Sequence, residues 1–139
     1  MSARVLVVDD ILPNVKLLEA KLTSEYYDVL TATSGLEALE KVETEKPDII
    51  LLDVMMPGMD GYEVCRRLKE NPATAHIPVV MVTALNDAED RVRGLDVGAE
   101  DFLTKPVDDF ALMARMGAIT RYNAVASELR QRQASGLRA

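Results

Sequence analysis

Five residues of this 139-residue sequence suit one chemistry: Asp9, Asp10, Asp53, Thr83 and Lys105. Asp53 closes the apolar run Ile49-Ile50-Leu51-Leu52 and opens a loop holding Pro57, Gly58 and Gly61. A continuous apolar run ended by turn residues reads as a strand buried on both faces, which puts Asp53 at a strand's carboxyl end. Asp9 and Asp10 follow the run Val5 to Val8, Thr83 closes Pro78 to Val82, and Lys105 follows Asp101 to Thr104. Two or three carboxylates drawn together cannot all stay ionised without a cation, so a hard divalent metal is expected. Mg2+ fits best, because one or two carboxylates usually hold it while water and phosphate oxygens complete its octahedron. A carboxylate flanked by metal, ammonium and hydroxyl can attack phosphorus as an aspartyl-phosphate nucleophile. Phosphoryl transfer is mostly positioning and charge neutralisation, and these are the groups it needs. Singly, each residue has a plainer reading: turn aspartates, a strand-ending threonine, a solvated lysine. Four strand ends agreeing in one pattern is the stronger observation.

The elements that must position these groups alternate along the chain. Strands are expected at Arg4 to Val8, Val29 to Ala32, Asp48 to Leu52, Pro78 to Val82 and Asp101 to Thr104. Between them, Pro13 suits a helix's first turn, with Val15, Leu18 and Leu22 at helical spacing. Ser34-Gly35-Leu36-Glu37 matches a capping box and opens a helix carrying Leu36, Leu39 and Val42. Tyr62, Val64, Cys65 and Leu68 lie on a helix that stops before Asn71-Pro72. Asp87 begins another, with Val92 and Leu95, ended near Gly98, and a last pattern runs from Asp108 to about Gln133. Five strand–helix alternations predict an α/β fold, a doubly wound parallel sheet with helices on both faces. With strand order 2-1-3-4-5, strands 1 and 3 are neighbours at the topological switch point, where ligands bind.

Composition bounds the rest. The chain suits one domain with 48% hydrophobic and 28% charged residues and a net charge of −7. Residues 1–109 hold 11 Lys and Arg against 22 Asp and Glu, whereas residues 110–139 hold five Arg against one Glu. An acidic body argues against nucleic acid as a partner, and the arginines read as a solvated helix face. Cys65 is the only cysteine, so no intrachain disulfide can form, and a cytoplasmic location is expected. Its plain reading is a small packing residue. No run suits a signal peptide or a membrane span. His76, in a Pro-bounded loop, reads as a solvated residue rather than a phosphotransfer histidine.

The motifs Val7-Val8-Asp9-Asp10, Leu51-Leu52-Asp53-Val54-Met55-Met56-Pro57-Gly58-Met59-Asp60-Gly61, Val82-Thr83-Ala84 and Asp101-Phe102-Leu103-Thr104-Lys105-Pro106 strongly resemble the response-regulator receiver (CheY-like) family of two-component phosphorelay signalling. The resemblance covers about residues 3–121 and implies a flavodoxin-like (βα)5 fold. It implies Asp53 as phospho-acceptor, Asp10 as a direct Mg2+ ligand, Asp9 as a ligand mainly through water, and the Met55 carbonyl as a further ligand. Thr83 and Lys105 would bind phosphoryl oxygens, and Phe102 matches the aromatic that moves with Thr83 on activation. A cis Lys105–Pro106 bond is usual in the family, and proline makes it accessible. The implied partner is a histidine kinase or histidine phosphotransfer protein, and the protein is expected to be a switch without separate substrate turnover. The resemblance also puts Met55 and Leu85 beside the path of the hydrolytic water, and two apolar side chains there would imply a slowly hydrolysed phosphoryl group.

More narrowly, Glu19-Ala20-Lys21-Leu22, Tyr26-Tyr27, Pro106-Val107-Asp108-Asp109 and Glu128-Leu129-Arg130-Gln131-Arg132 resemble the first receiver of PleD-type regulators, which also carry a diguanylate cyclase domain. The expected division is a receiver over residues 1–121 and an extension of the last helix over 122–139, serving as linker or interaction segment. Leu112, Ile119, Tyr122, Ala126 and Leu129 form a stripe that suits a homodimer or a following output domain. A stand-alone regulator acting by protein binding is the alternative. A phosphatase of the haloacid dehalogenase type fails, because the second Asp it needs is replaced by Met55, or by Leu12 if Asp10 were the nucleophile. A flavin or dinucleotide domain fails too, since Asp10-Ile11-Leu12-Pro13-Asn14 offers no phosphate cradle.

Overall fold

Apolar runs too continuous to face water form the centre of the molecule. The computed structural model describes residues 3–84 and 87–138. Its strands are β1 (Arg4–Val8), β2 (Asp28–Ala32), β3 (Ile49–Leu52), β4 (Val79–Thr83) and β5 (Asp101–Thr104). They form one parallel sheet in the order β2-β1-β3-β4-β5, as the sequence predicts. The register aligns the strand ends: Val8 lies opposite both Ala32 and Leu52, and Thr83 opposite Thr104.

Alternation along each strand divides the core in two. Leu6, Val8, Ile50, Leu52, Val79 and Met81 face one layer, with Ala38, Val42, Val64, Cys65 and Leu68. Val5, Val7, Ile49, Leu51, Val80 and Val82 face the other, with Leu18, Leu22, Leu112 and Met116. Each such side chain, fully buried, contributes about 1.5–3 kcal/mol. The first layer belongs to helices α2 (Gly35–Glu45) and α3 (Gly61–Glu70), the second to α1 (Leu12–Ser24) and α5 (Asp109–Arg138). Helix α4 (Ala88–Asp96) covers the β5 edge.

The helix starts follow local signals. Pro13 lies in the first turn of α1. Ser34 accepts the Glu37 N–H at 3.1 Å, while the Glu37 carboxylate reaches back to the Thr33 N–H at 2.6 Å, one residue earlier than a strict capping box requires. Asp60 caps α3 through the Glu63 N–H at 2.9 Å, and Asp87 caps α4. The Lys105–Pro106 bond is cis.

Two expectations change. Leu36, Val92 and Leu95 are exposed, because α2 buries Gly35, Ala38 and Val42 and α4 buries only Gly94. At Gly94 a Cβ would lie 3.3 Å from the Phe102 ring, so α4 sits on β5 through a glycine and turns its larger apolar residues outward. Helix α5 extends to Arg138 instead of about Gln133, where no Gly–Pro signal stops it. It is one continuous helix across positions 121 and 122. Leu112 and Met116 are buried and Ile119 partly so, but Tyr122, Val125 and Leu129 are exposed.

Candidate functional site

The sheet delivers the predicted residues to its carboxyl edge. The Asp9 N–H donates to Ala32 O at 3.2 Å and the Asp53 N–H to Val8 O at 2.9 Å, so both aspartates leave the sheet from hydrogen-bonded positions side by side. One oxygen from each of Asp9, Asp10 and Asp53 lies within 4.8 Å of the others. Asp9 and Asp53 are only 1% and 5% exposed. Lys105, carried there after β5, puts Nζ 2.6 Å from Asp9 Oδ2 and 3.6 Å from Asp53 Oδ1. The Lys105 N–H donates to Thr83 O at 2.8 Å, which fixes the lysine beside the end of β4, where Thr83 is fully buried.

Among the described residues Lys105 is the one cation beside these three carboxylates, which leaves the group short of positive charge. Burial pushes the Asp53 carboxyl up to about 6 from an ordinary 3.8; Lys105 opposes the rise, and the charges of Asp9 and Asp10 add to it. The Met55 N–H bonds to the Asp53 carboxylate and favours its ionised form. Asp10 Oδ1 is buried with no hydrogen-bond partner among the described residues. An orphaned carboxylate oxygen facing two more carboxylates is what a hard cation would satisfy, so the donor set fits Mg2+.

The other predicted residues fall around this group. Met55 follows Asp53 by two positions, with its side chain 60% exposed over the loop. Phe102 is the second residue of β5; its ring packs against Gly94 and beneath Arg91, whose guanidinium lies 5.7 Å from the ring centre. Leu85 lies outside the described residues. Cys65 is buried, and burial pushes its thiol up to about 11, which agrees with an inert packing residue. His76 is exposed.

Two contributors escaped the sequence reading. Asn14, in the first turn of α1, donates to Asp9 Oδ2 at 3.3 Å; only an asparagine shortly after an aspartate pair could have signalled it. Gly61 packs so tightly beneath the acidic loop that a Cβ would fall 2.3 Å from Asp53 O. Its sequence signal, a glycine next to a helix cap, indicates a turn and nothing more.

The parallel sheet with this acidic edge defines a class, and the chain belongs to the response regulator receiver domain family, which it matches over residues 5–117. Among relatives, it is 63% identical over 138 residues to the response regulator PleD of Caulobacter vibrioides, covering 99% of this chain and 30% of that protein. It is 46% identical over 127 residues to the alkaline phosphatase synthesis transcriptional regulatory protein PhoP of Bacillus subtilis, covering 91% of this chain and 52% of that one. The chain thus spans about a third to a half of the length of these relatives. Among solved structures it is similar to Vibrio cholerae chemotaxis protein CheY4, with a TM-score of 0.81, 31% identity, and 86% of this chain and 99% of that chain covered. A CheY-like receiver domain protein from Methanospirillum hungatei gives a TM-score of 0.84 at 26% identity, over 91% of this chain and 99% of that one. Receiver domains are signalling switches that take phosphoryl groups from histidine kinases and bind Mg2+ at an acidic cluster. Among the described residues no helix is long and apolar enough to cross a membrane.

Proposed function

We propose that this chain accepts a phosphoryl group on Asp53, from a phosphohistidine of a histidine kinase or phosphotransfer protein, and passes on the resulting change of shape. The observation that carries this reading is the convergence of Asp9, Asp10 and Asp53 on one point, with Asp9 and Asp53 buried and, among the described residues, one lysine beside them. An Asp53 oxygen attacks phosphorus, the phosphorus–nitrogen bond breaks, and the electron pair returns to the imidazole as the acyl phosphate forms. With a carboxyl titrating near 6, Asp53 is ionised and nucleophilic at pH 7.5. Lys105 and Thr83 hold the phosphoryl oxygens. Asp10, Asp53 and the Met55 carbonyl would hold Mg2+, with Asp9 mainly through water, and the ion would supply charge neutralisation. Movement of Thr83 toward the phosphoryl group draws Phe102 inward and alters the α4–β5 side.

The domain reading follows: residues 1–121 form the receiver, and residues 122–139 carry the signal along the last helix to a second copy or to an output domain. The output we infer is a diguanylate cyclase, supported by the PleD-type motifs and by the 63% identity to PleD. The decisive experiment is labelling with acetyl phosphate in Mg2+ buffer. Asp53→Asn is expected to remove all label while its amide spectrum stays that of a folded protein. Label retained in that variant would place the nucleophile elsewhere.

A further inference from the structure

Asp9 is the most enclosed carboxylate of the group, and its two oxygens are used unequally. Oδ1 accepts the Ile11 N–H at 2.9 Å. Oδ2 accepts two donors at once, Lys105 Nζ at 2.6 Å and Asn14 Nδ2 at 3.3 Å. Lys105 is 3.6 Å from Asp53, so to hold a phosphoryl oxygen on Asp53 it has to loosen its grip on Asp9. The Asp9 side chain is only 2% exposed, and a buried carboxylate oxygen that loses its donor is strongly disfavoured. Asn14 is the donor that remains.

We infer that Asn14 is a positioning residue for phosphoryl transfer: its amide keeps Asp9 Oδ2 satisfied and oriented while Lys105 changes partner. The inference rests on the reading of Asp53 as phospho-acceptor. Local structure holds Asn14 in place. It follows Pro13 in the first turn of α1, and its N–H donates to Ile11 O at 3.0 Å. Together with Lys105, Pro106 and Val107 it lines a hollow of about 410 Å³ between α1 and the segment after β5, so the amide sits beside the lysine's path. Asparagine also suits the role chemically. A second cation at this position would neutralise Asp9 and repel Mg2+, whereas a neutral amide donates a hydrogen bond without adding charge.

The test is calorimetric titration of the full chain, first with Mg2+ alone and then with beryllofluoride, a phosphoryl mimic, at saturating Mg2+. Asn14→Ala is expected to weaken beryllofluoride about three- to tenfold while Mg2+ affinity stays within about twofold. Asn14→Asp keeps the size but exchanges the donor for a second anion that retains Lys105. It is expected to weaken beryllofluoride further while tightening Mg2+, a split that a merely structural role would not produce. Equal beryllofluoride binding by parent and Asn14→Ala, or equal losses for both ligands, would overturn the inference alone. A parent that binds Mg2+ but no beryllofluoride would overturn the phospho-acceptor reading and this inference with it.

Discussion

The two edges of the sheet are built on opposite terms. At the amino edge the acids have matched partners: Arg4 bonds Asp28 at 3.2 Å and the Glu45 carbonyl at 2.7 Å, and the Arg4 N–H donates to Asp48 at 2.8 Å. Lys69 pairs with Glu100 at 2.6 Å, and Glu100 also accepts the Val79 N–H. At the carboxyl edge Lys105 is shared by Asp9 and Asp53, and one oxygen of Asp10 has no partner among the described residues. The same strands therefore end in satisfied electrostatics on one side and in stored repulsion on the other. A stable amino edge lets the carboxyl edge remain electrostatically unfavourable until a cation and a phosphoryl group arrive.

The largest disturbance of this contrast should come from Gly61→Ala. Its Cβ would meet the backbone of Asp53 and Val54 at 2.3 and 2.8 Å, where no flexible side chain can give way. A loss of about 3 kcal/mol in urea unfolding is expected, together with weaker Mg2+ binding. Next comes Asp53→Asn, which should stabilise the metal-free protein. The folded carboxyl titrates near 6 and its ordinary value is 3.8, so the unfolded chain loses this proton first as pH rises. Stability is lost across that window, and the cost is fully present above it. An uncharged amide in place of the carboxylate removes the cost: a gain of about 3 kcal/mol is expected at pH 7.5, shrinking toward zero near pH 4. Saturating Mg2+ should reverse the order of the two melting temperatures, since it stabilises the parent more.

A smaller effect concerns hydrolysis of the phosphoryl group. Met55→Asn combined with Leu85→Glu should shorten the phosphorylated lifetime about tenfold, equivalent to about 1.4 kcal/mol of barrier, with Mg2+ affinity little changed. Decay no faster than the parent's would mean that these side chains do not shield the phosphoryl group. The smallest effect tests the independence of the two edges. Asn123 donates to Asp48 O at 2.8 Å, so Asn123→Ala should cost about 1 kcal/mol of stability and leave beryllofluoride affinity unchanged.

Much of this architecture is legible in the sequence, because strands buried on both faces must be written as unbroken apolar runs. Ile49 to Leu52 and Val79 to Val82 admit little else, and their terminal residues mark the chemical edge. The helices are less legible. Leu36, Val92 and Leu95 keep helical spacing yet face outward, since Gly35, Ala38 and Gly94 make the close contacts and small residues leave little signal in an apolar pattern. Pairings over long separations leave none. Lys105 bonding Asp9 across 96 positions, or Lys69 bonding Glu100 across 31, exists only once the sheet is assembled. The sequence places Lys105 near the aspartates; only the geometry shows that it hydrogen-bonds Asp9 and lies farther, at 3.6 Å, from the proposed acceptor.

Helix α5 has a mechanical consequence. Thirty residues of α-helix make a rod of about 45 Å, and the part beyond Asn123 accounts for about 22 Å of it. Its root is gripped by Leu112 and Met116 in the core, and Asn123 ties the point of departure to the start of β3. Such a rod is a lever arm: a tilt of about 5° at the root would sweep its tip through about 2 Å. That displacement exceeds half the 3.6 Å between Lys105 and Asp53, so an adjustment too small to disturb the core is magnified at the helix tip.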